Sequence, residues 1–230
     1  MNIDVLDKGY VRLVDSLGDD LSVVNAARVS YDKESKELDN RDKKLIKFLW
    51  EENHTSPFRH AAITFEIYAP LFVARQWWKY AVGSSHVDDQ LGWNESSRRY
   101  ITENEEFYIP LPQQWRSKPE NSKQGSGDPI DDLIGAKYTS SLMSLVDAGL
   151  EAYREALADN VAPEQARLLL PAYGMYVRWR WTVSLHGVIN FLEQRLAHDA
   201  QSEIRDYANA VKDLVKTVYP ETYKIVFNEE

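Results

Sequence analysis

Hydrophobic and polar positions along the chain follow two different periods. Ile3 and Val5, then Val11 and Leu13, alternate with polar neighbours, and this period of two predicts strands joined by a turn. A helical period follows Asn40, where Leu45, Ile46 and Leu49 fall on one face. HTSPFRH (54–60) is broken by Pro57 and reads as a loop. The strongest strand signal comes next, with Ile63, Phe65 and Ile67 alternating with Thr64, Glu66 and Tyr68 until Pro70. PLFVARQWWKYAV (70–82) predicts a helix with Pro70 in its first turn.

Residues 83–99 read as a polar loop and FYIPLP as extended chain, while RSKPENSKQGSGDP (116–129) has the composition of a mobile linker. From Asp128 the pattern is helical, with Asp128 as cap and Pro129 at the first position. Ile134, Tyr138, Leu142, Leu145, Leu150, Tyr153 and Leu157 form an apolar stripe. A short helix runs from Pro163 towards Pro171, and a longer one spans 179–197. The last carries Ile204, Tyr207, Val211, Leu214 and Val218 until Pro220 stops it. Strands first and helices last predict one α+β domain over 1–230, a sheet with a helical layer.

Composition narrows the function. The 230 residues, 43% hydrophobic, can bury one sizeable core. A net charge of −9 argues against a nucleic-acid polymer or an acidic membrane as partner, so a local run of arginines stands out. No apolar run is long enough to span a bilayer, and the N-terminus lacks a signal-peptide layout. The chain has no cysteine, which points to the cytoplasm and removes thiol nucleophiles, thiolate zinc and iron–sulfur chemistry. Neither a P-loop nor G-x-G-x-x-G occurs.

Arg75, Lys79, Arg98, Arg99, Arg167 and Arg195 lie in or beside apolar elements. Each guanidinium there must meet a carboxylate, as in a structural salt bridge, or the phosphate or carbonyl of a ligand. Trp77, Trp78, Tyr80 and Trp93 can stack a flat ring or fill the core. His54 and His60 have no carboxylate cluster beside them, so no metal site is expected. On a helix over 179–197, Ser184 and Arg195 share one face while His186 and Asn190 share a nearly opposite one, as if the helix served two pockets. QLGWNESSRRY (90–100) fits a solvated surface or an anion pocket equally well. The residues alone describe a cytosolic α+β protein with an anion-binding, aromatic-lined site, and name no reaction.

The block SPFRHAAITFEIYAPLFVARQWW…NESSRRY (56–100) resembles the flavin-dependent thymidylate synthase family, the ThyX type. The likeness extends to IDVLDKGYVRLVDSLGDDLSVVNAARVSYD, to EQARLLLP, and to TVSLHGVINFLEQRLAHDAQSEIRDYA. It therefore covers nearly the whole chain apart from 116–129 and the last residues. It implies a homotetramer with sites shared between subunits and FAD as cofactor. The implied reaction takes a methylene from 5,10-methylenetetrahydrofolate to C5 of dUMP, with NADPH as reductant. UMP as substrate, or binding without turnover, are the alternatives. A family without a cysteine nucleophile accords with the composition.

Carried over by position, the resemblance implies that Gln76, Lys79, Glu95, Ser96, Ser97, Arg98, Arg99, Arg167 and Arg195 hold the nucleotide. Arg99 and Arg167 best suit its phosphate. Arg195 is the implied catalytic residue, placing positive charge beside the pyrimidine ring where negative charge develops. FAD is expected at Ser30, Ser56, Lys79, Tyr80, Asn94, Glu95, Ser184, His186 and Asn190. The chain departs from the family where R-H-R is replaced by Lys79-Tyr80-Ala81. It also carries added residues, 84–93, whose His86 is a candidate substitute for the cation lost at Ala81.

Overall fold

A computed structural model describes residues 1–81, 90–95, 105–119 and 125–229, with only the backbone described for Tyr80, Ala81, 90–93 and Glu95. Five strands form one antiparallel sheet in the order β1-β2-β3-β5-β4, with β1 Asn2–Val5, β2 Gly9–Leu17, β3 Ala62–Pro70, β4 Gln90–Glu95 and β5 Tyr176–Ser184. β1, β2 and β3 follow the predicted alternation. Pro70, expected in the first turn of the next helix, closes β3 instead, and α3 (Leu71–Ala81) opens one residue later. A proline tolerates this place because it ends the ladder and has no N–H to donate.

β5 corrects the largest misreading, since residues 179–184 are strand rather than helix. The register pairs Ile67 with Trp179, Phe65 with Trp181 and Ile63 with Val183, so these side chains share the inner face. Arg178, Arg180 and Thr182 occupy the outer face. The strand lies between β3 and β4 and satisfies its backbone on both sides. β4 is a second correction, because 90–95 lie within the expected polar loop 83–99 and overlap the added 84–93 segment. The late position of β5 also breaks the expected order of strands before helices, although the α+β class stands.

The helices are α1 Asp20–Arg28, α2 Asn40–Glu51, α3, α4 Asp132–Ala158, α5 Pro163–Ala166, α6 Leu185–Arg195, α7 Ser202–Val218 and α8 Pro220–Phe227. α1 falls between Leu13 and Asn40, a stretch for which the periodicity predicts no element. α7 ends at Val218, as expected ahead of Pro220, and Pro220 then opens the unexpected α8, as suits a proline at a first helical position. The buried Asp20 carboxylate accepts from the backbone N–H groups of Glu221 and Thr222 at 3.0 and 2.8 Å, capping the start of α8.

The core lies between the sheet's inner face and α3, α6 and α7. At its centre Trp77 of α3 stacks on Phe191 of α6 at 4.5 Å and meets Trp179 and Trp181 edge-on at 5.5 Å. Asp131, not Asp128, caps α4, accepting from Leu133 and Ile134 N–H. Asp128 and Pro129 pair instead with 116–117 in a short ladder, and Arg116 reaches from it to the buried Glu203 on α7. Burial alone would raise the Glu203 pKa, but hydrogen bonds from Arg116 and Gln201 hold it below the usual value.

Only part of the α4 stripe is core. Leu142, Leu150 and Tyr153 pack with Phe107, Val146 and Leu170, whereas Ile134, Tyr138, Leu145 and Leu157 are exposed on the single chain.

Candidate functional site

The end of α1, the body of α2 and the turn after α2 enclose a groove of about 540 Å³. Ala26 and Ala27 of α1 and Leu45, Phe48 and Leu49 of α2 make apolar walls. Ser30 and Tyr31, from a 3₁₀ turn at 29–31, and Asn53, His54, Thr55 and Ser56 supply polar groups and one more ring. The turn is built locally. Asn53 adopts the left-handed conformation (φ 59°), which an Asn side chain tolerates, and reverses the chain where α2 ends. His54 N–H then donates to the Leu49 carbonyl at 2.8 Å, and its ring meets Phe48 edge-on at 5.7 Å. Arg59 donates to the Thr55 hydroxyl at 2.9 Å, fixing the rim.

The first turn of α6 packs against the 3₁₀ turn 56–59 that forms this rim. Leu185 N–H is held by the Ala61 carbonyl at 2.8 Å, and the Ser184 hydroxyl caps α6 by accepting from Gly187 N–H at 3.0 Å. His186 is buried, 6.3 Å from the Trp50 ring, and Asn190 is half-buried one turn further on. Because residues 179–184 are strand, Ser184 stands at the cap and not on a helical face. The two-face comparison therefore applies only from Leu185 onward. Along α6 the rise separates the first turn from Arg195 by about 15 Å. One helix thus still presents its two ends to different places. Arg195 is buried in the last turn, where the terminal carbonyls of a helix favour a cation.

Gln76 is half-buried and Lys79 exposed on α3, flanking the buried Trp77. Asn94 is exposed on β4 with Arg180 as its cross-strand partner, and the β4 backbone ends at Glu95 opposite Trp179. Arg180 also pairs across with Glu66 of β3, and Glu66 with Arg12 of β2, giving a charged row on the outer face. Burial alone would raise the Glu66 pKa, but hydrogen bonds from Arg12 and Tyr10 outweigh it and lower the value.

Arg167 is exposed on a 3₁₀ turn after α5, its Nε donating to the Glu164 carbonyl at 3.2 Å. That turn reaches α4 at Gly149, where a Cβ would sit 2.9 Å from the Leu169 carbonyl oxygen. Ser96, Ser97, Arg98, Arg99 and His86 lie outside the described residues, as do the side chains of Tyr80 and Glu95. Among the described residues no cluster fits a metal ion.

Folding therefore brings Ser30 and Ser56 into one groove, with Ser184, His186 and Asn190 behind its rim. Gln76 and Lys79, Asn94 and Arg167 stand on other elements, and Arg195 at the far end of α6. Tyr31, Phe48, Asn53, His54 and Thr55 are groove residues that the sequence reading did not select. The local signal for them was the polar run NHTS directly after an amphipathic helix. The groove offers three aliphatic hydroxyls, a phenol, an amide and an imidazole against apolar walls, a donor set suited to a flat heteroaromatic ring carrying a hydroxylated chain.

Residues 12–221 match the family model described as thymidylate synthase complementing protein. The flavin-dependent thymidylate synthase of Thermosipho africanus is 38% identical over 224 residues, covering 97% of this chain and 93% of that one. Its counterpart in Thermus thermophilus is 40% identical over 220 residues, covering 96% and 76%. Among solved structures, the UMP/dUMP methylase PolB from Streptomyces cacaoi bound with 5-Br dUMP superimposes with a TM-score of 0.82 at 28% identity, covering 98% of this chain and 97% of that one. PolB bound with 5-Br UMP gives a TM-score of 0.80 at 25% identity.

Proposed function

The chain belongs to the flavin-dependent thymidylate synthase family, and from that membership we propose that it converts dUMP to dTMP. In this reading FAD is the cofactor, 5,10-methylenetetrahydrofolate gives the methylene and NADPH the reducing equivalents. The observation that carries it is the groove shared by Ser30 and Ser56, beside the start of α6. Two segments 26 residues apart in sequence supply the two hydroxyls. Its donor set fits FAD, although about 540 Å³ takes only part of a dinucleotide. Ser184, His186 and Asn190 would be the further residues to hold it. When bound, the flavin supplies the redox chemistry, and the protein binds, orients and polarises.

Gln76, Lys79, Glu95, Ser96, Ser97, Arg98, Arg99 and Arg167 are proposed to hold the nucleotide, and Asn94, Glu95, Lys79 and Tyr80 to meet the cofactor. Arg195 is proposed to stabilise negative charge on the pyrimidine ring; without a cysteine the chain cannot activate uracil through a thiol. A homotetramer is supported by the apolar surface left on one chain. Leu133, Tyr138, Met143 and Leu145 of α4 are exposed, as are Leu168, Leu169 and Tyr173, and a surface of this kind calls for a partner. Arg167 stands beside that surface, so a neighbouring subunit there would bring Arg167 to a second chain's site. A cytoplasmic location accords with the missing cysteine, a single catalytic domain over 1–230 with the one sheet and core, and no helix among the described residues is long and apolar enough to cross a membrane.

The reading is tested by supplying FAD to the purified protein. It should turn yellow and oxidise NADPH faster once dUMP and the folate are present. A protein that stays colourless with excess FAD would sink the proposal. The likeness to PolB favours one second reading, in which UMP is also accepted, and UMP assayed beside dUMP decides it. Arg167→Ala should raise the nucleotide KM roughly tenfold to a hundredfold, the scale of one charge-assisted phosphate contact. A wild-type KM would remove Arg167 from phosphate binding.

A further inference from the structure

The two walls of the groove are joined at one end by a polar clamp centred on one buried carboxylate. Asp42, in the first turn of α2, is only 1% exposed although carboxylates at helix starts are ordinarily solvated. The guanidinium of Arg28, the last residue of α1, donates Nη2–H to its Oδ1. Ser35 Oγ donates to the same oxygen at 3.1 Å, and Asp39 N–H to Oδ2 at 3.2 Å. Asn25, one turn before Arg28, binds Ser35 twice, donating to its carbonyl at 3.0 Å and accepting from its N–H at 2.8 Å. The end of α1, the crossing segment and the start of α2 are thus tied through one carboxylate.

This clamp adjoins the groove on both sides. Ala26 and Ala27 precede Arg28, and Ser30 and Tyr31 follow it; Leu45 lies three residues after Asp42, on the same side of α2. The turn that carries Ser30 projects into solvent, with Val29 at 75% and Tyr31 at 76% exposure, so little packing holds it apart from its flank at Arg28. Asp42 is buried and Arg28 half-buried, and a pair of this kind adds little stability over apolar side chains of similar volume, whereas its directed hydrogen bonds fix a spacing. We propose that Arg28 and Asp42 are positioning residues that set the width of the groove, and through it the affinity for the cofactor's flat ring system. The proposal rests on reading the groove as the FAD site.

The test compares FAD Kd, from quenching of flavin fluorescence, with the thermal midpoint of the FAD-free protein. Asp42→Asn, Arg28→Lys and the apolar double variant Arg28→Met/Asp42→Leu are measured beside the parent, and the double variant serves if Asp42→Asn fails to fold. FAD affinity should fall at least about tenfold, the scale on which small misplacements act, in variants whose midpoint stays near the parent's. Unchanged FAD affinity in the double variant would overturn the proposal. So would a loss that follows the midpoint and vanishes on cooling, because that marks general destabilisation. Ala27→Trp, which fills the groove, separates the two claims. If it leaves FAD binding intact, the groove is not the cofactor site; if it abolishes binding while the clamp variants do not, only the positioning role fails.

Discussion

Replacing Arg195 by alanine should lower turnover by roughly a hundredfold to a thousandfold, the effect of removing one group aimed at developing charge, while FAD remains bound. Arg195 is 8% exposed in the last turn of α6. The groove with Ser30 and Ser56 lies against the other end of that helix, about 15 Å away by the helical rise. Loss of the guanidinium therefore removes positive charge without touching the groove. Because charge develops on the pyrimidine only as bonding at C5 proceeds, the loss should fall on kcat more than on the nucleotide KM. Arg195→Lys keeps the charge without the planar fork and should retain part of the rate. The checks are NADPH oxidation with dUMP and flavin absorbance after gel filtration. Unchanged turnover would refute the role, and loss of flavin together with turnover would make Arg195 a structural residue.

Trp77→Ala should cost about 3–5 kcal/mol of stability, the range for emptying a large aromatic site in a packed core. The ring is fully buried, stacked on Phe191 at 4.5 Å and edge-on to both tryptophans of β5. Its removal leaves a cavity where the sheet, α3 and α6 meet, lined by Phe191, Trp179 and Trp181. For a chain of this size each kcal/mol moves Tm by about 2–4 °C, so a fall of roughly ten degrees is expected. Gln76 and Lys79 flank Trp77 on α3, and below the transition the nucleotide KM should rise as their helix loosens. A Tm within two or three degrees of the parent's would contradict this account of the core.

The strands with one solvated face were legible because period two survives wherever one side meets water; Ile63, Phe65 and Ile67 announce β3 on any reading. β5 was not legible in the same way. Its inner Trp179 and Trp181 alternate with arginines, but the strand runs straight into α6, and Trp179 and Val183 stand four apart as in a helix. What makes it a strand is pairing on both edges, with β3 and β4, and those partners lie far away in sequence. The same holds for β4, a short polar segment with no signal until an edge is offered to it. α8 was hidden because proline can end one helix or begin another, and the Asp20 carboxylate that caps its start comes from the opposite end of the chain.

By itself the sequence determined the α+β class, the absence of thiol chemistry and, through its resemblance, the family and the kinds of residue its reaction needs. Side-chain chemistry and local period are properties of a segment, and a segment keeps them wherever it lies. The groove was decided only by tertiary structure. Ser30 and Ser56 were both candidates, but His54, Thr55, Asn53 and Tyr31 became groove residues once α1, α2 and the turn after α2 were set at a fixed spacing. That spacing is held by Asp42, Arg28 and the packing of α6 on the 56–59 turn. Contacts between distant segments carry no periodic trace in either one, because each exists only when the other is in place.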